Sequence, residues 1–311
     1  MSTPPVVPDP PSGVQHELAA GPQRATVAEV GASLRAYRVD DDDVVEPFDI
    51  ATMPDGAHGA VLVPWPNRVG DGRYSFDGHE HQLALTEPTK HNAIHGLLRW
   101  VPWRAVRHDE ARVTMAVRLH PQPGYPFDLH VQVGYALDDD GLTVTTTATN
   151  LGPQACPYGT GQHPYLSAGG AVLDECTATL PARTRVTTDP ERQLPTGREP
   201  VAGTAYDLRS GRSLDGLTLD DAFADLERDD DGRARASLRT PDGLVRELWV
   251  GQAYRYLQAF SGDTLAPDRR RRGFAVEPMT CPPDAFRSGT DVQRLEPGES
   301  TTAEWGVRLR S

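Results

Sequence analysis

Cysteine is scarce in this chain, and so are the features that would tie it to a membrane or to nucleic acid. Three cysteines stand far apart at 156, 176 and 281 in 311 residues. A disulfide framework or a structural zinc site needs more of them, or closer spacing, so reduced thiols are expected. Aromatic residues make up only 7%, and no apolar run is long enough to cross a bilayer as a helix. Positive charge is also short: 31 basic against 44 acidic residues gives a net charge of −13, with Lys90 the only lysine. That balance argues against nucleic acid or an anionic membrane as the main partner. The opening "MSTPPVVPDPPSG" has neither the basic nor the apolar segment of a secretory signal, so the expected location is cytoplasmic. A nucleotide-binding glycine loop, a G-x-S-x-G elbow and a nucleophilic cysteine context are missing too, which leaves no cofactor to expect.

What the chain does have is turns. Its 29 glycines and 28 prolines are spread along the whole length, which suits many short strands better than helices. Leu129, Val131, Val133, Tyr135 and Leu137 alternate with polar or small residues, "DDDG" turns the chain, and Leu142, Val144, Thr146 and Ala148 alternate again. This is a hairpin with one buried face. Val113–Leu119 and Ala303–Leu309 show the same period, and 234–250 reads as two strands around Pro241-Asp242-Gly243. The expected fold class is all-β, built of packed antiparallel sheets. Residues 1–13 read as a Pro-rich tail and 14–311 as one domain, since no linker, repeat or shift of composition divides them.

Five segments stand out against this background. In "VPWPNRVGDGRYSFDG" (63–78), Asn67-Arg68 precedes a Gly-rich turn. An isolated arginine is ordinarily surface charge, whereas one beside Trp65 and two prolines is also placed to grip sugar hydroxyls. In "HNAIHGLLRWVPW" (91–103), His91 and His95 have a helical metal spacing, but Gly96 and Pro102 interrupt any helix and no third ligand is evident. A hydrogen-bonding His95 on a tight turn is the alternative, and no metal is expected. "YGTGQHPYL" (158–166) holds His163 between a permissive and a rigid backbone; imidazole titrates near neutrality and can move a proton there. "LTLDDAFADL" (217–226) carries two aspartates that read as a solvated turn or as a hydroxyl acceptor. "GFAVEPMTCPPDAF" (273–286) puts Glu277 behind the apolar Phe274-Ala275-Val276, as if delivered by the end of a strand. The runs "DDDD" (40–43) and "RRRR" (269–272) read as solvated loop charge. A carboxylate, histidines, an arginine and tryptophans without a cofactor motif suit acid–base chemistry on a sugar. Whether Trp65, Trp100 and Trp103 stack on it or fill the core stays open.

In order along the chain, "NRVGDGRYSFDG", "HNAIHG", "GQHPYL", "LDDAF" and "EPMTCPPDAF" resemble the aldose 1-epimerase (galactose mutarotase-like) family. The resemblance implies a large antiparallel β-sandwich of the supersandwich type and a cofactor-free enzyme that interconverts the anomers of a monosaccharide, as a monomer or homodimer. It also implies roles: Glu277 as the base on the anomeric hydroxyl, His163 as the acid on the ring oxygen, and Arg68, His95, Asp220 and Asn67 as substrate-binding groups. Asp220 is preferred to Asp221 because it stands three residues before Phe223. Leu97, where galactose mutarotases usually have a second glycine, leaves the sugar open. A phosphorylated or sulfonated hexose, with Arg269–Arg272 near its anion, and a non-catalytic sugar-binding protein are the alternatives.

Overall fold

The structure, a computed structural model, describes residues 10–311. Most of the expected tail therefore lies outside the described residues. Within Pro10–Gly13, Gly13 N donates to Pro10 O at 2.8 Å and Ser12 is buried.

Two large antiparallel sheets dominate. Among the described residues one has nine strands, centred on the hairpin Leu129–Asp138 and Gly141–Asn150. Their register runs from Leu129 opposite Asn150 to Asp138 opposite Gly141, so the expected alternation faces one side throughout. The closing strand Ser300–Arg310 pairs with this hairpin on one edge and with Val245–Val250 on the other. The period is less regular in Arg112–Leu119, where Ala116 is buried and Val117 only half-buried.

The other sheet has twelve strands among the described residues. Along its middle lie Tyr165–Ser167, Gly273–Met279, Tyr256–Phe260, Asp220–Leu226 and Ala182–Thr188, side by side. Its inner face gives Leu166, Phe274, Val276, Leu257 and Phe223 to the core it shares with Val131, Val133 and Tyr135 of the other sheet. Successive side chains on a strand point to opposite faces. The outer face therefore receives Glu277, Gln258 and Asp220, flanked by Tyr165, Phe260 and Ala275 on one side and Tyr256, Ala222 and Met279 on the other.

One expectation changes. Glu277 is not at a strand end but inside Gly273–Met279, opposite Gln258. Pro278, which has no N–H to give, follows it where the neighbouring chain is interrupted between Gly161–Gln162 and Tyr165–Ser167.

Candidate active site

The interruption carries His163. The pairings Gly161 with Met279 and Tyr165 with Ala275 bracket it, so His163 stands directly across from Glu277 on the outer face. Its backbone is fixed on both sides: His163 N donates to Ala60 O at 3.1 Å, and Gly59 N donates to His163 O at 2.8 Å. Its ring stacks on Tyr165 (centroids 5.0 Å, 19°), and Tyr165 stacks in turn on His58 at 4.3 Å. His163 Nε2 lies 3.1 Å from Glu277 Oε1, with both side chains more than nine-tenths buried.

His95 completes the group. It adopts φ +63°, followed by Gly96 at φ +70°. A Cβ on residue 96 would overlap the Val63 backbone, including its carbonyl oxygen, so the turn that presents His95 requires glycine. We expect Gly96→Ala to destabilise the protein by more than about 2 kcal/mol through left-handed strain and overpacking. Denaturant unfolding measures this, and an unchanged midpoint would contradict it. Asn67 N donates to His95 Nδ1 at 3.2 Å, which leaves the proton of a neutral ring on Nε2. The Asn67 side chain is used locally, its Oδ1 accepting from Arg68 N at 2.9 Å.

Asn67, Arg68, His95, His163, Asp220 and Glu277 all line one cleft of about 580 Å³. Arg68 is buried rather than solvated, gripped by Glu87 at 3.0 and 3.1 Å and donating to Gln193 Oε1 at 2.8 Å. Asp220 accepts from Gln258 Nε2 at 2.7 Å and from Gln193 Nε2, and lies 3.7 Å from Arg68 Nη2. The aspartate pair is neither a turn nor a helix start but the beginning of a strand. The pleat then separates the two: Asp220 faces the cleft, while Asp221 turns away to Arg185 at 2.7 Å. Trp65 and Trp103 fill the core, whereas Trp100 is 43% exposed on the cleft wall.

Sequence reasoning missed Glu87, Gln193, Gln258 and Arg99. Glu87 carried a signal, lying five residues before Asn92, whose amide also donates to it at 3.0 Å. The other three carried none beyond residue type.

Two further readings are corrected. Arg269 pairs with Asp55 and donates to His58, and Arg271 pairs with Asp174 at 2.8 Å and Asp263 at 3.1 Å. These two are half-buried struts rather than solvated charge, and none of Arg269–Arg272 lines the cleft. His163 also departs from the near-neutral titration expected of a loop imidazole: burial, with help from His58 and Arg99, pushes it down to about 3. Burial lowers His95 as well, aided by His163, Arg99 and Arg68. Glu277 moves the other way, well above 4.5, because burial and the nearby Asp220 penalise its charge more than Arg68 relieves it.

The arrangement is thus a carboxyl group of raised basicity touching a neutral imidazole, with a second neutral imidazole beside them. His91 does not join His95; it is exposed and bonded to Asp71 at 2.9 Å. Instead, donor atoms of His95, His163 and Glu277 lie within 4.8 Å of one another, a set that a divalent ion such as zinc accepts.

Residues 15–308 match the family model described as aldose 1-epimerase. The chain is 36% identical over 289 residues to the uncharacterized protein YihR of Escherichia coli (strain K12), covering 93% of this chain and 91% of that one. Human galactose mutarotase is 33% identical over 163 residues, 49% of this chain and 45% of that one. Among solved structures, the GalM/aldose epimerase homologue from C. elegans superposes with a TM-score of 0.85 at 20% identity, covering 96% and 98% of the two chains. That likeness extends the shared fold across nearly the whole molecule.

Proposed function

The chain belongs to the aldose 1-epimerase family, and from that premise we propose that it interconverts the α and β anomers of a free hexose by acid–base ring opening. The observation that supports this most is the 3.1 Å contact between His163 Nε2 and Glu277 Oε1 at the floor of the cleft. A base and a proton donor so close can serve two oxygens on one carbon, the anomeric hydroxyl and the ring oxygen.

Glu277, as carboxylate, takes the proton of the anomeric hydroxyl. The C1–O bond to the ring oxygen breaks, C1 becomes a carbonyl, and the ring oxygen receives the Nε2 proton of His163. Because its imidazole is neutral at working pH, His163 acts through N–H donation rather than as an imidazolium. The proton collected by Glu277 then passes across the short contact to Nε2 and restores the imidazole. Rotation about C1–C2 presents the other carbonyl face, and the steps run backwards. Arg68, Asp220 and His95 hold the hydroxyls, and Glu87 and Gln193 hold Arg68 and Asp220 in place.

Polarimetry or NMR exchange on freshly dissolved α-hexoses, with EDTA present and the uncatalysed rate subtracted, tests the activity. We expect a pH limb as well. The base works only when deprotonated, so kcat/KM declines as pH falls through the raised pKa of Glu277. The midpoint should lie above the 4.5 ordinary for glutamate. A profile that stays flat down to pH 4.5 would remove Glu277 from this role.

A further inference from the structure

We propose that Tyr165 and His58 form a stacked backing that positions the imidazole of His163, in place of the hydrogen bond that ordinarily orients a proton-transferring histidine. This rests on the acid–base reading above, in which His163 is the proton donor. Tyr165 and His58 are positioning residues, acting through that donor.

A histidine that moves a proton at one ring nitrogen is ordinarily held by a hydrogen bond at the other. His163 lacks one. Its Nε2 faces Glu277, and its Nδ1 is buried with no hydrogen-bond partner on another of the described residues. Rotation of an imidazole about its Cβ–Cγ bond has broad minima, so something else must set the plane of this ring. Packing does so. His163 and Tyr165 stand two residues apart on the outer face of the sheet, and their rings lie within 19° of parallel at 5.0 Å. His95 meets the same imidazole at 5.5 Å and 75°.

The tyrosine is held in turn. Its hydroxyl donates to Gly56 O at 3.0 Å, and its ring also stacks on His58 at 4.3 Å and 26°. His58 is the fixed end of the stack, because both of its ring nitrogens are engaged. Nε2 donates to Glu46 O at 2.6 Å, and Nδ1 accepts from Arg269, which pairs with Asp55. A guanidinium only donates and a carbonyl only accepts, so the two bonds define one neutral tautomer and one ring orientation. Burial agrees, pushing His58 down to about 4. A phenyl ring would fill the same space but could turn about its axis. The imidazole cannot turn without breaking both bonds. Tyr165 and His58 are buried and neither lines the cleft, so neither serves by touching the sugar.

The test measures anomer exchange in the parent, Tyr165→Leu, Tyr165→Phe and His58→Phe, each also combined with His163→Gln. We expect Tyr165→Leu to lower kcat by about 10–100-fold with KM little moved, the usual cost of a misplaced reacting group. Tyr165→Phe keeps the stack and should restore most of that rate. His58→Phe keeps a ring without its two bonds and should lose less than Tyr165→Leu. In the His163→Gln background each change should cost less than about twofold more, because residues that act through one group do not add. Equal losses with and without the imidazole overturn the proposal, as does a loss carried by KM or an unaffected rate. NMR of nitrogen-labelled histidine follows the ring itself. The His163 signals should be sharp in the parent and in Tyr165→Phe, and broadened by μs–ms exchange in Tyr165→Leu. Unchanged line shapes in Tyr165→Leu also overturn it. If the parent turns over no sugar faster than Glu277→Gln does, the mutarotase reading fails, while the line shapes still decide the role of Tyr165. Should Tyr165→Leu not fold, His58→Phe carries both measurements.

Discussion

Replacing Glu277 by Gln lowers the rate of anomer exchange by about 10²–10⁴-fold, the usual loss when a positioned base is removed. The same change leaves the protein at least as stable as its parent. The two effects have one origin. Glu277 is buried on the outer face of the large sheet, its Oε2 has no hydrogen-bond partner, and its pKa is raised by burial and by Asp220. A carboxyl group whose pKa is higher folded than unfolded favours the folded state below its unfolded pKa. That contribution is lost as pH rises from about 4.5 through the folded value. At neutral pH the charge is a burden that glutamine, equal in size and uncharged, removes. Thermal melting at pH 7 together with polarimetry checks both halves. A variant that melts well below the parent, or that keeps its rate, would show that Glu277 is a structural carboxylate.

The second large effect belongs to His163. His163→Gln is expected to reduce exchange by a similar 10²–10⁴-fold, because an amide forms the hydrogen bond to the ring oxygen but transfers no proton. Its pH signature has the opposite sign. An imidazole pushed down to about 3 when folded, against 6.5 when free, supports the folded state above pH 6.5. That support fades as pH falls towards 3, because the unfolded chain takes up the proton first. The variant should therefore lose stability less steeply than the parent between pH 6.5 and 4. Parallel melting curves across that range, or an undiminished exchange rate, would count against a buried neutral donor.

How far the sequence led depends on the distance over which each feature is determined. The hairpin 129–150 was legible because alternation is a local property, and turn residues mark its tip. That Asp220 rather than Asp221 faces the cleft agrees with the choice made from the motif, and the pleat supplies its physical reason: adjacent residues on a strand must part. The partners of Arg68 were not visible. Gln193 reaches Arg68 across 125 residues of sequence, a separation that no local pattern reports. The low pKa of His163 was equally hidden, since burial is a property of the packed molecule. The reading of "RRRR" failed at Arg269 and Arg271, though not at the exposed Arg270 and Arg272, for a related reason. A charge run looks solvated until the aspartates at 55, 174 and 263 come to meet it.

His163 stands in a gap of the strand beside that of Glu277, bracketed by the pairs Gly161–Met279 and Tyr165–Ala275 and tied through its own backbone to Gly59 and Ala60. The spacing of His163 and Glu277 is set by the distance between adjoining strands, a fixed dimension of any sheet. On the proposed mechanism, the geometry of the pair is inherited from the weave of the sheet.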